Sequence, residues 1–185
     1  GHANRHGYRP PAEPAAEILA ILRWVATQLA AIIGAQSDRM TRDDGWRLLS
    51  VGRQTERLDF LTDALRRGVE LGLPAIDEGF ALLLGLFDST MTYRAQFQAR
   101  RELPPLLHLL VLDRENPRSL AGVARRLRDR VTGLARQEGH VFHRMLEQMP
   151  VPNQWSLETL CAVDASGRHA ALVGAIKTLC AATQA

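Results

Sequence analysis

The sequence predicts an all-α protein, a bundle of long antiparallel helices with shorter helices toward the C-terminus. Three observations carry that prediction. Apolar residues recur at three- and four-residue spacing through almost all of the chain after residue 14, which is the period of a single helix face. No strand signal competes with that period. Pro74, Asn116, Pro117, Pro150, Pro152 and Asn153 fall between the periodic stretches instead of inside them, as punctuation between helices requires.

Residues 1–13, GHANRHGYRPPAE, hold tandem prolines and little apolar content, so an extended lead-in is expected. The opening without methionine reads as a cleavage scar ahead of a segment cut from a longer chain. Pro14 to Ala35 is a strong helix former whose Ile18, Leu19, Ile21, Leu22, Val25, Leu29 and Ile32 make a broad apolar face. Thr41 and Asp44 read as a capping arrangement for a second helix running to about Leu71. Leu73 and Pro74 break it, and a third long helix is expected from Asp77 through FALLLGLF and TMTYRAQFQ to about Arg100.

ELPPLLHLLVLD places two prolines in a first turn, where a missing N–H costs nothing, and predicts a short buried helix. Asn116 and Pro117 then look like N-cap and first residue of a helix carrying Leu120, Val123, Ala124, Leu127, Val131 and Leu134 on one face. The same spacing returns from Glu138 to Met149 and from Gly167 to Thr183, separated by the Pro150, Pro152 and Asn153 break and a short turn near Trp155 to Ala162. With no repeat, linker or low-complexity tract after residue 14, residues 14–185 read as one domain.

Composition narrows the function class. A chain of 185 residues with 46% hydrophobic and 23% charged residues builds its core without disulfides or metal. No apolar run approaches the roughly 20 residues of a membrane helix, so a soluble, cytoplasmic protein without membrane contact is expected. A formal charge of +3 is too small for a dedicated nucleic-acid binder. Lys177 is the only lysine among 23 basic residues. Cys161 and Cys180 lack metal-ligand spacing and read as reduced, packed thiols.

The chemistry-bearing cluster lies in VGRQTERLDF. At about 100° per residue, Trp46, Leu49, Arg53, Arg57, Phe60 and Ala64 share one arc, with Glu56 at its edge. A second strip of Val51, Leu58, Leu65 and Val69 suggests a central helix packed on two sides. Three readings stay open: a buried ion network fixing helix register, a core site where guanidinium forks hold a carboxylate or phosphate beside Glu56, or arginine stems lying on the surface. Asp88, Thr92 and Tyr93 form a polar band that could face Glu56 and Arg57 across the core, with Arg94 and Arg101 along its edge; otherwise Asp88 pairs with an arginine of the second helix and Tyr93 only satisfies its hydroxyl.

Asp113 to Ser119 reads mainly as a corner. Arg125, Arg126, Arg128, Arg130 and Arg136 read as a solvated face or a contact with another domain. His140 and His143 share a helix, but no carboxylate spacing supports a metal, and none is expected. Phosphate loops and nucleophile elbows are absent.

The blocks DRMTRDDGWRLLSVGRQTER, DSTMTYRAQF and LLVLDRENPRSLAGVARRL together resemble the bacterial alpha-E domain, an all-helical domain named for its Glu-Arg motif. Gly52, Arg53, Glu56 and Arg57 match its GR-x-x-ER signature, Tyr93 and Arg94 its middle block, and Asp113, Asn116, Pro117 and Ser119 its last. The resemblance covers roughly residues 38 to 135. Related domains are fused to, or encoded beside, circularly permuted ATP-grasp ligases, transglutaminase-like peptidases and a proteasome-related protease.

The resemblance therefore implies a helical module partnered in cis or in trans by an ATP-grasp peptide or amide ligase, with a transglutaminase-like peptidase as a further partner. ATP and Mg belong on the ligase, and no cofactor is expected here. As a non-catalytic module the chain uses Arg53, Arg57, Asp88, Tyr93, Arg94, Asp113 and Asn116 to hold an acidic group or dock the ligase. As an enzyme it uses Glu56 as general acid or base on an amide or acyl phosphate, with the arginines stabilising charge.

Overall fold

The computed structural model describes residues 14–98, 100–138 and 140–184; the expected lead-in lies outside them. Every regular element among these residues is helical. The chain divides between Arg42 and Asp43 into two compact units.

In the first unit, α1 spans Pro14–Arg39. Its Ala, Ile and Leu content favours helix, and no proline follows Pro14, itself at a tolerated first position. The apolar residues Ile18, Leu22, Trp24, Leu29 and Ile32 are all exposed. Within Pro14–Gln36 an 18-residue window has a mean hydropathy of 1.8, so by length and composition this helix reaches what a membrane span requires. That corrects the expectation that no stretch does: uninterrupted apolar runs are short here, yet Ala, Ile and Leu outweigh the few polar residues between them. Arg23 falls near its middle, a position where a guanidinium costs roughly 2.5–3.5 kcal/mol on insertion.

In the second unit, α2 spans Asp44–Glu70, and its N-cap is Asp43, whose carboxylate accepts from the Trp46 N–H. Gly72, at φ 72°, ends the segment in a left-handed turn that a side chain would strain. A 3-10 turn, Leu73–Ala75, leads into α3, Asp77–Leu86. The expected third helix is broken: α3 stops, Asp88 turns through φ 44°, and α4 runs Thr90–Phe97. A short polar side chain makes this backbone tolerable at Asp88, and the break lets Ser89 turn inward, where it is buried.

Helix α5, Leu103–Leu107, continues as a π turn over His108–Leu112, closed by the Asp113 N–H on the His108 carbonyl at 2.9 Å. Leu106, Leu107, Leu109, Leu110 and Val111 are fully buried, as the apolar run and its paired prolines predict. Beyond it, α6 spans Leu120–Glu138, α7 His140–Gln148, α8 Leu157–Cys161 and α9 Ala170–Gln184.

Side-chain contacts fix how these helices run. Arg47 of α2 lies beside Gly133 of α6, and Gln54 meets Arg126. Higher residues on one helix thus meet lower ones on the other, so the pair is antiparallel. Asp59 meets Cys180, while Arg66 shares a cleft with Ile176, so α9 is antiparallel to the second half of α2. Leu58, Leu61, Leu65 and Val69 of α2 enter one core with Phe80, Leu83, Val123, Leu127, Leu172 and Ile176. Gly68 admits Leu83 so closely that a Cβ would stand 2.7 Å from it, which is ridge-into-groove packing at short range.

Candidate functional site

The buried face of α2 sets where the Glu-Arg cluster points. Leu58, Leu61, Leu65, Gly68 and Val69 define that face, and the arc through Trp46, Arg53, Arg57 and Phe60 lies roughly 100° round the helix from it. Glu56 and Arg57 are exposed, Arg53 is half-buried and Phe60 is 55% exposed. Neither Glu56 nor Arg57 forms an ion pair with a described residue. The cluster is thus neither a buried ion network nor a core pocket in this unit. Stems lying along the surface, the third reading, describe it.

The other residues expected at a site do different work. Tyr93 is buried, stacks edge-on to Phe80 at 5.4 Å, leans on Phe97 at 5.1 Å and donates to the Arg100 carbonyl at 2.6 Å. Burial pushes its hydroxyl above the ordinary tyrosine range. Arg94, next to it, is exposed. The polar band does not face Glu56. Asp88 pairs at 2.7 Å with Arg118 of the corner, not with an arginine of α2.

The corner itself is densely hydrogen-bonded. Asp113 Oδ1 accepts the N–H groups of Glu115 and Asn116, at 2.9 and 3.2 Å. Asn116 is buried and donates to Ser89 Oγ at 3.1 Å and to the Leu109 carbonyl at 3.0 Å, while its own Oδ1 accepts from the Arg118 N–H. It is a brace, not the helix cap expected. Ser119 is the cap, accepting the Gly122 N–H at 2.8 Å and donating to the Asp113 carbonyl. Gly122 sits against the same turn, where a Cβ would lie 2.1 Å from the Asn116 carbonyl oxygen.

The second and third signature blocks therefore meet, through Ser89 with Asn116 and Asp88 with Arg118. The first block reaches them through Arg126 of α6, which donates to the Pro117 carbonyl and, at 3.4 Å, to Gln54 Oε1. The α6 arginines are less solvated than the sequence suggests. Arg126 is half-buried; Arg128 donates to the Leu146 and Met149 carbonyls at 2.7 and 3.1 Å, closing the end of α7; Arg130 lies 4.4 Å over the Trp46 ring. Burial lowers the Arg126 pKa, and Arg57, Arg125, Arg118 and Arg130 lower it further by repulsion. Sequence reasoning missed this group because its convergence depends on which face of α6 meets α2.

A cleft of about 270 Å³ opens on α6 between Arg114, Arg125, Arg128 and Asp129 and the turn at Val151 to Gln154. Cys161 and Cys180 are free thiols, as expected. Among the described residues no three His, Cys, Asp or Glu side chains group as metal ligands.

These features define an all-helical module in which three separated sequence blocks close on one corner, with a Glu-Arg pair displayed beside it. Glu56–Arg57 is the only Glu-Arg dipeptide in the chain. The model of the Alpha-E family, a predicted alpha-helical domain with a conserved ER motif, matches residues 4–184, and the chain belongs to that family. No curated protein and no solved structure matches it.

Proposed function

We propose that the chain is a non-catalytic helical module that docks an ATP-grasp peptide or amide ligase through the exposed GR-x-x-ER face of α2. The observation behind this reading is a division of labour. Most of the matching residues beyond α2 are engaged in the corner, whereas Glu56 and Arg57 are exposed and without an ion pair among the described residues, beside a largely exposed Phe60. An aromatic anchor flanked by opposite charges is the composition of an interface hot spot. The choice of a ligase follows from the motif resemblance.

Catalysis by Glu56 has less support. A general acid or base works best when held by a partner in a site that excludes water, and Glu56 is open to solvent with no such partner among the described residues.

The test is calorimetric titration of the chain with an ATP-grasp ligase encoded beside an alpha-E domain. Binding that weakens about tenfold or more in Phe60→Ala and in Glu56→Lys supports docking through this face. No binding, or binding indifferent to both changes, overturns it; turnover by the isolated chain that is lost in Glu56→Gln replaces it with the enzymatic reading.

A further inference from the structure

The cleft on α6 is built from one helix face and one turn. Ala121, Ala124, Arg125 and Arg128 all line it and recur at three- and four-residue spacing, so they share a stripe of α6. Across about 270 Å³ of open space stands the 3-10 turn Pro152–Gln154. The two alanines keep that space open, because a methyl group does not reach across it. Arg128 ties the chain just ahead of the turn back to α6: its Nη1 donates to the Leu146 and Met149 carbonyls, which leaves its Nε and Nη2 donors over. Arg125 and Asp129, one helical turn apart, also line the cleft, and neither forms an ion pair among the described residues. Arg114 adds a third guanidinium, 3.4 Å from the Glu115 carboxylate.

We infer that this cleft binds a short peptide with both termini free, about two residues long. Each part of the lining answers a part of such a ligand. Three guanidiniums against one carboxylate favour an anion. Arg125, with the remaining edge of an Arg128 already held in place by the fold, offers fork donors to a terminal carboxylate. Asp129 beside them repels a second negative charge and attracts an ammonium, which favours a zwitterion over a phosphate or a dicarboxylate. Asn153 and Gln154 bring side-chain amides that donate to and accept from a peptide unit. Ala121, Ala124 and Pro152 supply apolar surface for small side chains. The volume falls just below the roughly 300–1,000 Å³ of drug-sized ligand pockets, which suits two small residues. The site shares no residue with the displayed face of α2 and does not depend on the docking proposal.

The experiment is titration of the chain with L-alanyl-L-alanine at pH 7, followed by backbone amide NMR shifts, with ionic strength held constant by chloride. Saturable shifts centred on residues 121–129 and 151–154 are expected. Binding should weaken about tenfold in Arg125→Gln and several-fold in Asp129→Asn, both at exposed positions that the fold tolerates, and stay unchanged in Arg67→Gln, an exposed arginine on α2. L-alanyl-L-alaninamide, which lacks the carboxylate, should bind about tenfold more weakly and be indifferent to Arg125→Gln. N-acetyl-L-alanyl-L-alanine, which lacks the ammonium, should be indifferent to Asp129→Asn. No saturable shift in the cleft, an equal loss in Arg67→Gln, or free L-alanine or inorganic phosphate binding as tightly as the dipeptide overturns the inference.

Discussion

The corner at residues 113–119 and the displayed face of α2 are joined through Arg126, yet they treat polar groups in opposite ways. In the corner, Asp113, Asn116 and Ser119 direct their polar atoms at backbone or, for Asn116, also at Ser89 Oγ, and Asn116 and Ser119 are buried. On α2, Glu56 and Arg57 are turned to water. Residues of one family signature thus answer to two demands. A buried amide must be satisfied by the fold, so its presence is explained by architecture. An exposed Glu-Arg pair contributes little to stability, so its explanation lies in what it meets.

The contrast is broken most severely at Gly122. With a Cβ placed 2.1 Å from the Asn116 carbonyl, Gly122→Ala forces the corner apart and is expected to cost about 3 kcal/mol, read from the urea midpoint and slope. Asn116→Ala comes next. It removes the donor to Ser89 Oγ and to the Leu109 carbonyl and the acceptor of the Arg118 N–H, for a loss of about 2–3 kcal/mol. A smaller effect is expected at Tyr93, which ends in one bond to the Arg100 carbonyl; Tyr93→Phe should lose about 1 kcal/mol.

Titration sharpens the same point. Burial raises the Tyr93 hydroxyl, and burial together with Asp59 raises the Cys180 thiol, from ordinary values of 10.0 and 9.0. The unfolded chain therefore loses these protons first. Stability is complete below the unfolded thiol value and falls as pH rises through it and then through the tyrosine value. Unfolding midpoints measured between pH 7 and 10.5 should decline, and Cys180→Ser should flatten the first part of the decline.

Much of the helical framework was legible because period and breakers act locally. The extents of α2, α6 and α9 follow from apolar spacing, and the buried α5 from LPPLLHLLVL. The interruption at Asp88 was not legible: DST sits between two helical runs without glycine or proline, and only the burial of Ser89 against Asn116 selects a cap over continuity. Asn116 and Ser119 are equally good caps by residue type and lie three apart, so the sequence could not choose between them. The orientation of α2 was harder still. Trp46, Leu49 and Phe60 share an arc with Arg53 and Arg57, which suggests burial, but Leu58, Leu61, Leu65 and Gly68 make the face that α3, α6 and α9 cover. The Arg126 cluster depended on that packing and carried no local signal.

The most direct test sets the two regions side by side in urea, comparing Glu56→Gln with Asn116→Ala against the parent chain. The expected result is a change within about 0.5 kcal/mol for Glu56→Gln and a loss of about 2 kcal/mol or more for Asn116→Ala. A loss of about 2 kcal/mol or more in Glu56→Gln would contradict the account, because it would make the Glu-Arg motif part of what holds the fold together.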